Sequence, residues 1–497
     1  MKNKLLSLTI AFFAIWMTNP SWAQTSFEAF KQQKDSKFQT FKDQKQERFD
    51  AYRREKNAKY AEFLRQKWGE YDAHPQDTTV KDIPVVPPVI YDNTQPDPTP
   101  EPQPIVIEED VVVIPQPVPQ PEPIVPIEPV IDENRQTVTF SFYGTEVSVQ
   151  FPKPDDFTIP EAAEETLANA WETLMDEKYD IAIKSALEAR KKLNLCDWGY
   201  IELLQAVAEK HYGKKTREAA FMQAFLLIQS GYKVRLAFTD NMLYPLIASH
   251  YTIYDRIYFN IDGEKFYPLN CNEESLYISK ASFEAEKPVS LQISSEQLFT
   301  DEPSKTRTLT SRMGLTATVS VNRNNIDFYD TYPTACFNDD MGTRWAAYAN
   351  TPMEKRTRET LYPQLEKALQ GKDQLTQVEL LLNWVQTAFV YEYDDVVWGD
   401  DRAFFPSETL YYPYCDCEDR SILFSRLVQD LIGLDVVLLY YPGHLATAVC
   451  FTDDVKGDYL MVNKKKFIVC DPTYIGAPIG ETMPDMDNQT AKVIVLK

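Results

Sequence analysis

A thiol, an imidazole and a carboxylate follow one another near the C-terminus of the chain, at Cys417, His444 and Asp471. They lie in the segments YCDCEDRSILFSRL, YYPGHLATAV and FIVCDPTYIG, and the whole chain has only four histidines. A thiol is mostly protonated at neutral pH, and a nearby base converts it to the nucleophilic thiolate. A carboxylate beside the imidazole fixes the tautomer of the ring and stabilises its cation. The three residue types in this order therefore predict a Cys–His–Asp site for acyl transfer.

The secondary structure predicted around these residues places each of them at the boundary of an element. Apolar residues recur with helical spacing after Cys417, so the thiol is predicted at a helix N-terminus, where the helix dipole favours a thiolate. Pro442-Gly443 separates two predicted strands, and His444 starts the second of them. A short strand ends at Asp471. Each residue taken singly is more often structural, as a core thiol, a strand-end histidine or a turn. Their joint order favours catalysis.

The segments CDCEDRSILFSRL, PGHLATAV and CDPTY resemble the three catalytic blocks of the transglutaminase-like superfamily. The upstream run ELLLNWVQTAFVYEYD is similar to the helix and loop before the nucleophile in bacterial members, so the resemblance covers about residues 373–479. It implies a papain-like core in which the nucleophile helix packs on an antiparallel sheet. It also implies that Cys417 is the nucleophile, His444 the base and Asp471 the orienting group. Asp419 would be the acidic residue that follows the nucleophile in the family.

Cys415 stands where the family usually has glycine, two residues before the nucleophile. The two thiols could be oxidised to a disulfide, Cys415 could be oxidised first and protect Cys417, or Cys415 could itself be the reactive thiol. The family register after Cys417 favours Cys417. No second Cys/His pair with ligand spacing follows, so neither a metal nor a cofactor is predicted. The acidic pairs Asp339-Asp340 and Asp394-Asp395 are expected in solvated loops rather than around Ca²⁺.

An internal repeat predicts a second, degenerate copy of the same fold over residues 134–272. FLLIQSGYKVRLAF parallels RLVQDLIGLDVVLLYY, and IYFNIDGEKFYPLN parallels DYLMVNKKKFIVCD, which matches Asn270 with Asp471. Lys215 or a neighbour stands in the place of Cys417, and His250 could match His444 only if the preceding connection is longer. Without a nucleophile this copy is expected to be structural or to bind substrate.

The first residues have the features of a secretory signal peptide, residues 1–23, with a basic start, a short apolar run and a small-residue cleavage site. The protein is therefore expected to be exported, either periplasmic or secreted. The apolar run is too short for a confident membrane span, so an integral membrane protein is not expected. A net charge of −23 argues against binding to nucleic acid. Seven cysteines, an odd number, leave at least one thiol unpaired in an exported chain.

Two unusual segments precede the predicted globular part. Residues 24–75 carry pairs of aromatic residues at an eleven-residue period from Phe27 to Tyr71, which predicts one amphipathic or coiled-coil helix with an aromatic stripe. The stripe needs a partner, through self-association, through folding back onto the globular part or on an envelope protein. Residues 76–133 are rich in proline and acidic residues and predict an extended linker, in which VIEEDVVVI could pair transiently with a sheet edge.

The predicted architecture is α+β, with tandem transglutaminase-like (papain-like) domains behind the helix and the linker. The degenerate copy at residues 134–272 is followed by a β-rich insert at 273–345 and by the catalytic copy at 346–497. The predicted function is that of an exported cysteine protease or related hydrolase, which cleaves an amide of a peptide or protein substrate through a Cys417 thioester. The alternative is a catalytically inactive binding or scaffold protein of the cell envelope with the same fold.

Overall fold

The computed structural model describes residues 21–75, 86–92, 105–107, 111–113, 120–123, 134–239 and 241–497. Residues 1–20, which hold most of the predicted signal peptide, lie outside these ranges, as do parts of the predicted linker. The chain divides into two compact units, Met1–Ala61 and Glu62–Lys497. No helix among the described residues has the length and apolar character needed to span a lipid bilayer.

One long helix, α1 (Ser21–Arg65), accounts for the described part of the first unit. Several of its aromatic rings are exposed, among them Phe38 at 60%, Phe41 at 64% and Tyr52 at 48%. Tyr60, in contrast, is almost fully buried, so the rings of the repeat differ in exposure. The helix was predicted to continue to residue 75, but it ends at Arg65.

The chain leaves the helical conformation after Arg65 because the following residues pair with a sheet. Trp68 is buried, and its indole donates to the Leu64 carbonyl at 2.8 Å, which satisfies an acceptor in the last helical turn. Strand β1 (Gly69–Asp72) then pairs antiparallel with residues Ser275–Ile278. The prediction that Tyr71 continues the aromatic helix is therefore wrong, since Tyr71 lies in this strand.

The second unit contains, after β1, an N-terminal half of helices and short strands. In chain order these are β2 (Ile105–Ile107), β3 (Val111–Val113), β4 (Arg135–Phe142), β5 (Thr145–Pro152), α2 (Glu164–Leu174), a 3-10 helix (Glu177–Tyr179), α3 (Asp180–Leu193), α4 (Asp197–Tyr212), α5 (Arg217–Gln229), β6 (Val234–Phe238), β7 (Leu243–Ala248), β8 (Tyr251–Ile253), β9 (Phe259–Ile261), β10 (Glu264–Pro268) and β11 (Ser275–Ile278). Strands β4 and β5 pair antiparallel as a hairpin around Gly144.

The C-terminal half begins with a small hairpin and ends with the longer sheet. Its elements are β12 (Arg307–Thr310), β13 (Thr316–Val319), α6 (Arg323–Tyr329), β14 (Ala335–Phe337), α7 (Gly342–Ala349), α8 (Lys355–Leu369), α9 (Gln374–Ala388), β15 (Val390–Tyr391), α10 (Asp394–Val397), α11 (Pro406–Tyr411), β16 (Tyr414–Cys415), α12 (Cys417–Leu431), β17 (Asp435–Tyr441), β18 (His444–Cys450), β19 (Tyr459–Val462), β20 (Lys465–Cys470) and β21 (Lys492–Val495).

The N-terminal sheet has the order β1-β11-β6-β7-β10-β9 and curls until its two edges meet. Just beyond β1, the His74 amide donates to the Tyr258 carbonyl at 2.8 Å, and Tyr258 directly precedes β9 at the opposite edge. Apolar side chains from both edges and the centre share one cluster, which includes Leu246, Phe266 and Ile278. This sheet is therefore a small barrel with an apolar interior.

The C-terminal sheet has the order β2-β19-β20-β18-β17-β21-β3, and its two outer strands come from the predicted linker. Ile107 ends one outer strand and Val111 begins the other, so four peptide steps, about 14 Å at most, must join the two edges. A flat sheet of this width would separate its edges by about 29 Å. The sheet must therefore curl. Residues 105–107 and 111–113 of the predicted linker are therefore strands of this sheet, where the sequence suggested an extended linker with at most transient pairing of VIEEDVVVI.

The two halves share one topology. Five strands follow the order β11-β6-β7-β10-β9 in the N-terminal sheet and β21-β17-β18-β20-β19 in the C-terminal sheet. A helix precedes the central hairpin in both cases, α5 in the first half and α12 in the second. The predicted boundary of a β-rich insert at residue 273 cuts the N-terminal sheet, because β11 is one of its strands, and β14 pairs with β8. The insert is therefore reduced to the β12–β13 hairpin and α6.

Candidate functional site

The imidazole of His444 and the carboxylate of Asp471 form a buried pair. Strands β18 and β20 are antiparallel neighbours, and they bring the start of one close to the end of the other. His444 Nε2 lies 2.8 Å from Asp471 Oδ2, and both side chains are almost fully buried. The second carboxylate oxygen, Oδ1, accepts the amide protons of Thr473 at 2.8 Å and Tyr474 at 3.2 Å. The turn after β20 therefore fixes the carboxylate of Asp471, and this carboxylate fixes the orientation of the His444 ring.

The other ring nitrogen of His444, Nδ1, is buried and has no hydrogen-bond partner. With Nε2 bonded to the carboxylate, a neutral ring carries its proton on Nε2 and leaves Nδ1 as a free acceptor. An unpaired buried acceptor costs free energy, and a catalytic role is one explanation for its presence in a folded protein. A neutral ring in this arrangement is the tautomer that can take a proton from a thiol.

Cys417 is the first residue of α12, as the sequence predicted, and it is fully buried. Helix α12 packs on β18 through the Ser421 hydroxyl, which donates to the Leu445 carbonyl at 2.8 Å. The Leu445 amide also hydrogen-bonds towards the Cys417 thiol and acts to lower its pKa. The sulfur therefore lies beside the residue that follows His444. No hydrogen bond joins it to His444 among the described residues; it lies 3.5 Å from Glu418 Oε2 instead.

The thiol of Cys417 is protonated in this arrangement. Burial raises its pKa well above the ordinary value, and the negative charges of Glu418 and Asp416 raise it further. The effect of the helix N-terminus predicted from the sequence is outweighed here by two carboxylates next in the chain. A thiolate at Cys417 requires either rotation of the sulfur towards His444 or neutralisation of these carboxylates.

The carboxylates form a buried group around the start of α12, here called the acidic cluster. Its members are Asp394, Asp401, Asp416, Glu418 and Asp419. Arg344 is buried against it and pairs with Asp401. Asp419 is satisfied by the amides of Phe404 at 2.8 Å and Asp416 at 3.2 Å, which makes it part of the helix cap.

Two oxygens of the acidic cluster, Asp416 Oδ1 and Glu418 Oε1, are buried without a hydrogen-bond partner. Burial, followed by mutual repulsion, raises the pKa of Asp394, Asp416 and Glu418. Several carboxylates cannot remain ionised together around one guanidinium, so the cluster must take up protons or a cation.

Asp394, Asp401 and Glu418 fit a divalent cation. Each offers one carboxylate oxygen, and the three atoms lie within 4.8 Å of one another. Two oxygens bound to one Ca²⁺ at about 2.4 Å are at most about 4.8 Å apart. The expectation of a solvated loop at Asp394-Asp395 is wrong for Asp394, which is buried and joins this set, whereas Asp395 is exposed.

A part of the predicted linker, residues 86–92, borders the site and is here called the strap. The Val86 amide donates to the carbonyl of Gly443, the residue before His444, at 3.1 Å. The Ile475 amide donates to Val89 at 2.7 Å, and the Tyr91 amide donates to Ile475 at 3.0 Å. The Tyr91 ring also packs edge-on against Tyr474, with 5.5 Å between centroids. The strap is therefore tied to the turns that carry both His444 and Asp471.

Cys415 is buried close to the nucleophile candidate but is not bonded to it. All seven cysteines have free thiols, so the Cys415–Cys417 disulfide considered from the sequence is absent from the structure. The Cys415 sulfur lies 3.8 Å from the Val390 carbonyl, and burial raises its pKa to about 11. Burial thus disfavours a thiolate at Cys415 as it does at Cys417, and Cys415 lies in the short strand β16 and not at the start of a helix.

Two residues near the site were missed by the reading of the sequence. Gln386 on α9 donates to the Asp471 carbonyl at 3.0 Å and accepts from the Gly476 amide at 3.2 Å, so it fixes the turn after β20. Tyr391 has a buried hydroxyl without a partner, and its pKa is raised by burial and by the nearby Cys417. A glutamine inside the apolar run LLLNWVQTAFV was a possible signal for the first. Nothing local distinguishes Tyr391 from Tyr393.

Comparison with known proteins found no matching family model, no matching curated protein and no matching solved structure.

Proposed function

We propose that this chain is an exported thiol-dependent acyl-transfer enzyme of the transglutaminase-like class, which hydrolyses an amide of a peptide or protein. The observation that carries the proposal is the buried His444–Asp471 pair at 2.8 Å with a free Nδ1. This pair stands beside the helix that begins at Cys417. A histidine held by a carboxylate in its acceptor tautomer, next to a helix-terminal thiol, is the arrangement that thiol catalysis requires.

In the proposed reaction, His444 Nδ1 removes the proton from Cys417, and the thiolate attacks the carbonyl carbon of the amide. The C–N bond then breaks, and the proton on Nδ1 passes to the leaving amine, which leaves a thioester on Cys417. Water, deprotonated by the same ring, hydrolyses the thioester and regenerates the thiol. The first step needs the sulfur to turn from Glu418 towards His444. Hydrolysis is favoured over cross-linking, because no site for a second amine is visible in the sequence.

The oxyanion of the tetrahedral intermediate needs hydrogen-bond donors. The Cys417 amide, at the first position of α12, is one of the helix N–H groups without an intrahelical acceptor. The unpaired hydroxyl of Tyr391 is the second donor that we propose. It is buried, and it lies close enough to Cys417 for a negative charge on the sulfur to raise its pKa. Asp471 keeps the ring oriented, and Gln386 keeps the Asp471 turn in place.

We further propose that both halves of the second unit are transglutaminase-like copies, the first without a nucleophile. Their common strand order and preceding helix support a shared origin of the two halves. The long N-terminal helix would mediate self-association or bind an envelope partner. Measurement of the particle size of the mature protein with and without residues 24–65 tests this role.

A second candidate function is a binding or scaffold protein that has kept the fold without the activity. Two observations favour it: Cys417 makes no hydrogen bond with His444, and the site is closed to solvent, with both residues fully buried. Under this alternative the buried pair would be a structural remnant.

Alkylation with an alkyne derivative of iodoacetamide, followed by peptide mapping, distinguishes the two functions. The proposal expects Cys417 to be the main alkylated thiol of the folded protein and to lose most of its reactivity in His444→Gln. The Cys417→Ala variant is the control for the other six cysteines. Slow alkylation of Cys417 that does not depend on His444 would refute the enzyme and leave the binding protein.

A further inference from the structure

We propose that the N-terminal half carries a second binding site, a cleft that takes a peptide through a carboxylate group. The cleft has a volume of about 800 Å³, which lies in the usual range for ligand sites. It belongs to the half in which no thiol stands at the place of Cys417, and the one thiol that lines it, Cys271, takes no part in the proposed binding, so the proposal does not depend on the thiol chemistry proposed above.

The cleft lies where the topology of the C-terminal half places the candidate triad. It is lined by the start of α5, including Lys215 and Thr216, by Met242 before β7 and by Asn270 after β10. In the C-terminal half the corresponding places, the start of α12, the start of β18 and the end of β20, hold Cys417, His444 and Asp471. There the three residues are buried, whereas Lys215 and Asn270 are exposed in the cleft. The N-terminal half thus has an open cleft at this place, without the Cys, His and Asp residues of the candidate triad.

Arg256 is the principal recognition group. It lines the cleft half-buried, with its guanidinium 5.1 Å from the centre of the Trp198 ring. Burial lowers the pKa of Arg256, because the guanidinium cation loses part of its hydration in the cleft. The negative charge of Glu202 offsets this shift only in part. Arg256 donates no hydrogen bond and forms no ion pair of contact distance with any described residue. A guanidinium with its donors free presents a fork that matches a carboxylate.

The other lining groups select a peptide among carboxylate ligands. Asn270 and Asn272 have side-chain amides that bond to no other described residue, and such amides can pair with the N–H and C=O groups of a peptide. Met242 and Ile257, which are both partly exposed, supply an apolar wall for an aliphatic side chain.

Carboxylates on the cleft argue against polyanionic ligands. Glu209 and Asp255 both line it, and burial and the nearby Asp400 and Asp401 raise the pKa of Asp255. The negative charges of these carboxylates would repel a ligand with several phosphate groups, whereas a single carboxylate group can pair with Arg256 and Lys215. The influence of Asp400 and Asp401 also shows that the cleft borders the loop of the acidic cluster. A peptide held here would lie near the C-terminal half.

Binding is tested with the full chain carrying Cys417→Ala, so that the result is independent of any reaction at the thiol. The probes are three pools of N-acetylated tripeptides, observed by saturation-transfer NMR. One pool has free C-terminal carboxylates, the second has C-terminal amides, and the third has C-terminal amides with an internal Asp or Glu. The first and third pools distinguish a terminal from a side-chain carboxylate.

We expect at least one carboxylate pool to bind at least tenfold more tightly than the neutral amide pool, as a charge-assisted hydrogen bond predicts. Arg256→Gln should weaken that binding about tenfold or more, and Arg256→Lys and Lys215→Gln should weaken it less. Arg312→Gln, which removes an exposed arginine outside the cleft, is the matched control and should change nothing. Thermal unfolding checks that each variant is folded. Equal binding of the carboxylate and neutral pools, no binding at millimolar concentration, or undiminished binding by folded Arg256→Gln and Lys215→Gln would overturn the proposal.

Discussion

Asp471→Asn separates the chemical role of the carboxylate from its structural role. Oδ1 accepts two backbone protons, from Thr473 at 2.8 Å and Tyr474 at 3.2 Å, and an asparagine oxygen can accept the same two. Oδ2 faces His444 Nε2 at 2.8 Å, and the asparagine would present an NH₂ donor there. The ring must then accept at Nε2 and carry its proton on Nδ1. In that tautomer it cannot deprotonate Cys417.

The two roles have different expected magnitudes. Loss of the general base should slow alkylation of Cys417 by about 10²- to 10⁴-fold. The unfolding free energy of Asp471→Asn should fall by only about 1 kcal/mol, since the turn keeps its acceptor. Asp471→Ala leaves two buried N–H groups unpaired, at about 1–3 kcal/mol each, and should cost at least about 2 kcal/mol.

The assay is the rate of alkylation of Cys417 by iodoacetamide, followed by mass spectrometry, together with denaturant unfolding. Because Cys417 is fully buried, every rate includes an opening step, but that step should be similar in wild type and in a stable variant. Asp395→Asn, which removes an exposed carboxylate, is the matched control. A stable Asp471→Asn protein that is alkylated at the wild-type rate would refute the assignment of His444 as the base.

Three further predictions follow from the surroundings of the site. For the acidic cluster, burial raises the pKa of Glu418 and Asp394 in the folded protein above the values in the unfolded chain. The folded protein therefore holds these protons more tightly than the unfolded chain does. The stability that the two groups contribute is complete below about pH 4 and is lost as the pH rises through the folded-state pKa. In the presence of a metal chelator, the melting temperature of the protein should therefore fall as the pH is raised from about 5 to 8. Added Ca²⁺ should restore the melting temperature at pH 8. The absence of any effect of Ca²⁺ would argue against a bound cation. For the strap, Tyr91→Ala should speed alkylation of Cys417 about two- to tenfold, because the ring contact with Tyr474 is worth about 0.5–1.5 kcal/mol, whereas Ile90→Ala, at an exposed strap position, should not. For the neighbouring thiol, whose sulfur faces the Val390 carbonyl and not Cys417, Cys415→Ala should leave the alkylation rate of Cys417 unchanged. Peptide mapping that finds the alkyl group of the wild-type protein on Cys415 in place of Cys417 would identify Cys415 as the reactive thiol.

The positions of the candidate triad in the fold could be predicted because each depends on a local pattern. Helical periodicity after Cys417 marks the start of α12, and the Pro442-Gly443 turn marks the start of β18. The strand predicted to end at Asp471 is β20, which ends one residue earlier at Cys470. The approach of His444 to Asp471 then follows from the antiparallel pairing of two neighbouring strands. Local rules therefore suffice for this part of the site.

The surroundings of the triad depend on contacts between distant segments, which no local pattern encodes. Asp394, Asp401 and Glu418 come from separate elements, and an acidic pair in a loop has the same sequence whether it is solvated or buried. The strands β2 and β3 were obscured because their three-residue apolar runs lie among prolines and acidic residues. They form because the open edges of the C-terminal sheet supply partners for their backbones.

The central claim, that Cys417 and His444 act together in acyl transfer, is tested most directly by trapping the acylated thiol. Mature wild-type protein is mixed with p-nitrophenyl acetate with and without Ca²⁺, quenched in acid and mapped by mass spectrometry for the acetyl group. The account predicts an acetyl thioester on Cys417, absent in Cys417→Ala and strongly reduced in His444→Gln. Acetylation confined to other residues, or equal acetylation of Cys417 in folded His444→Gln, would contradict it.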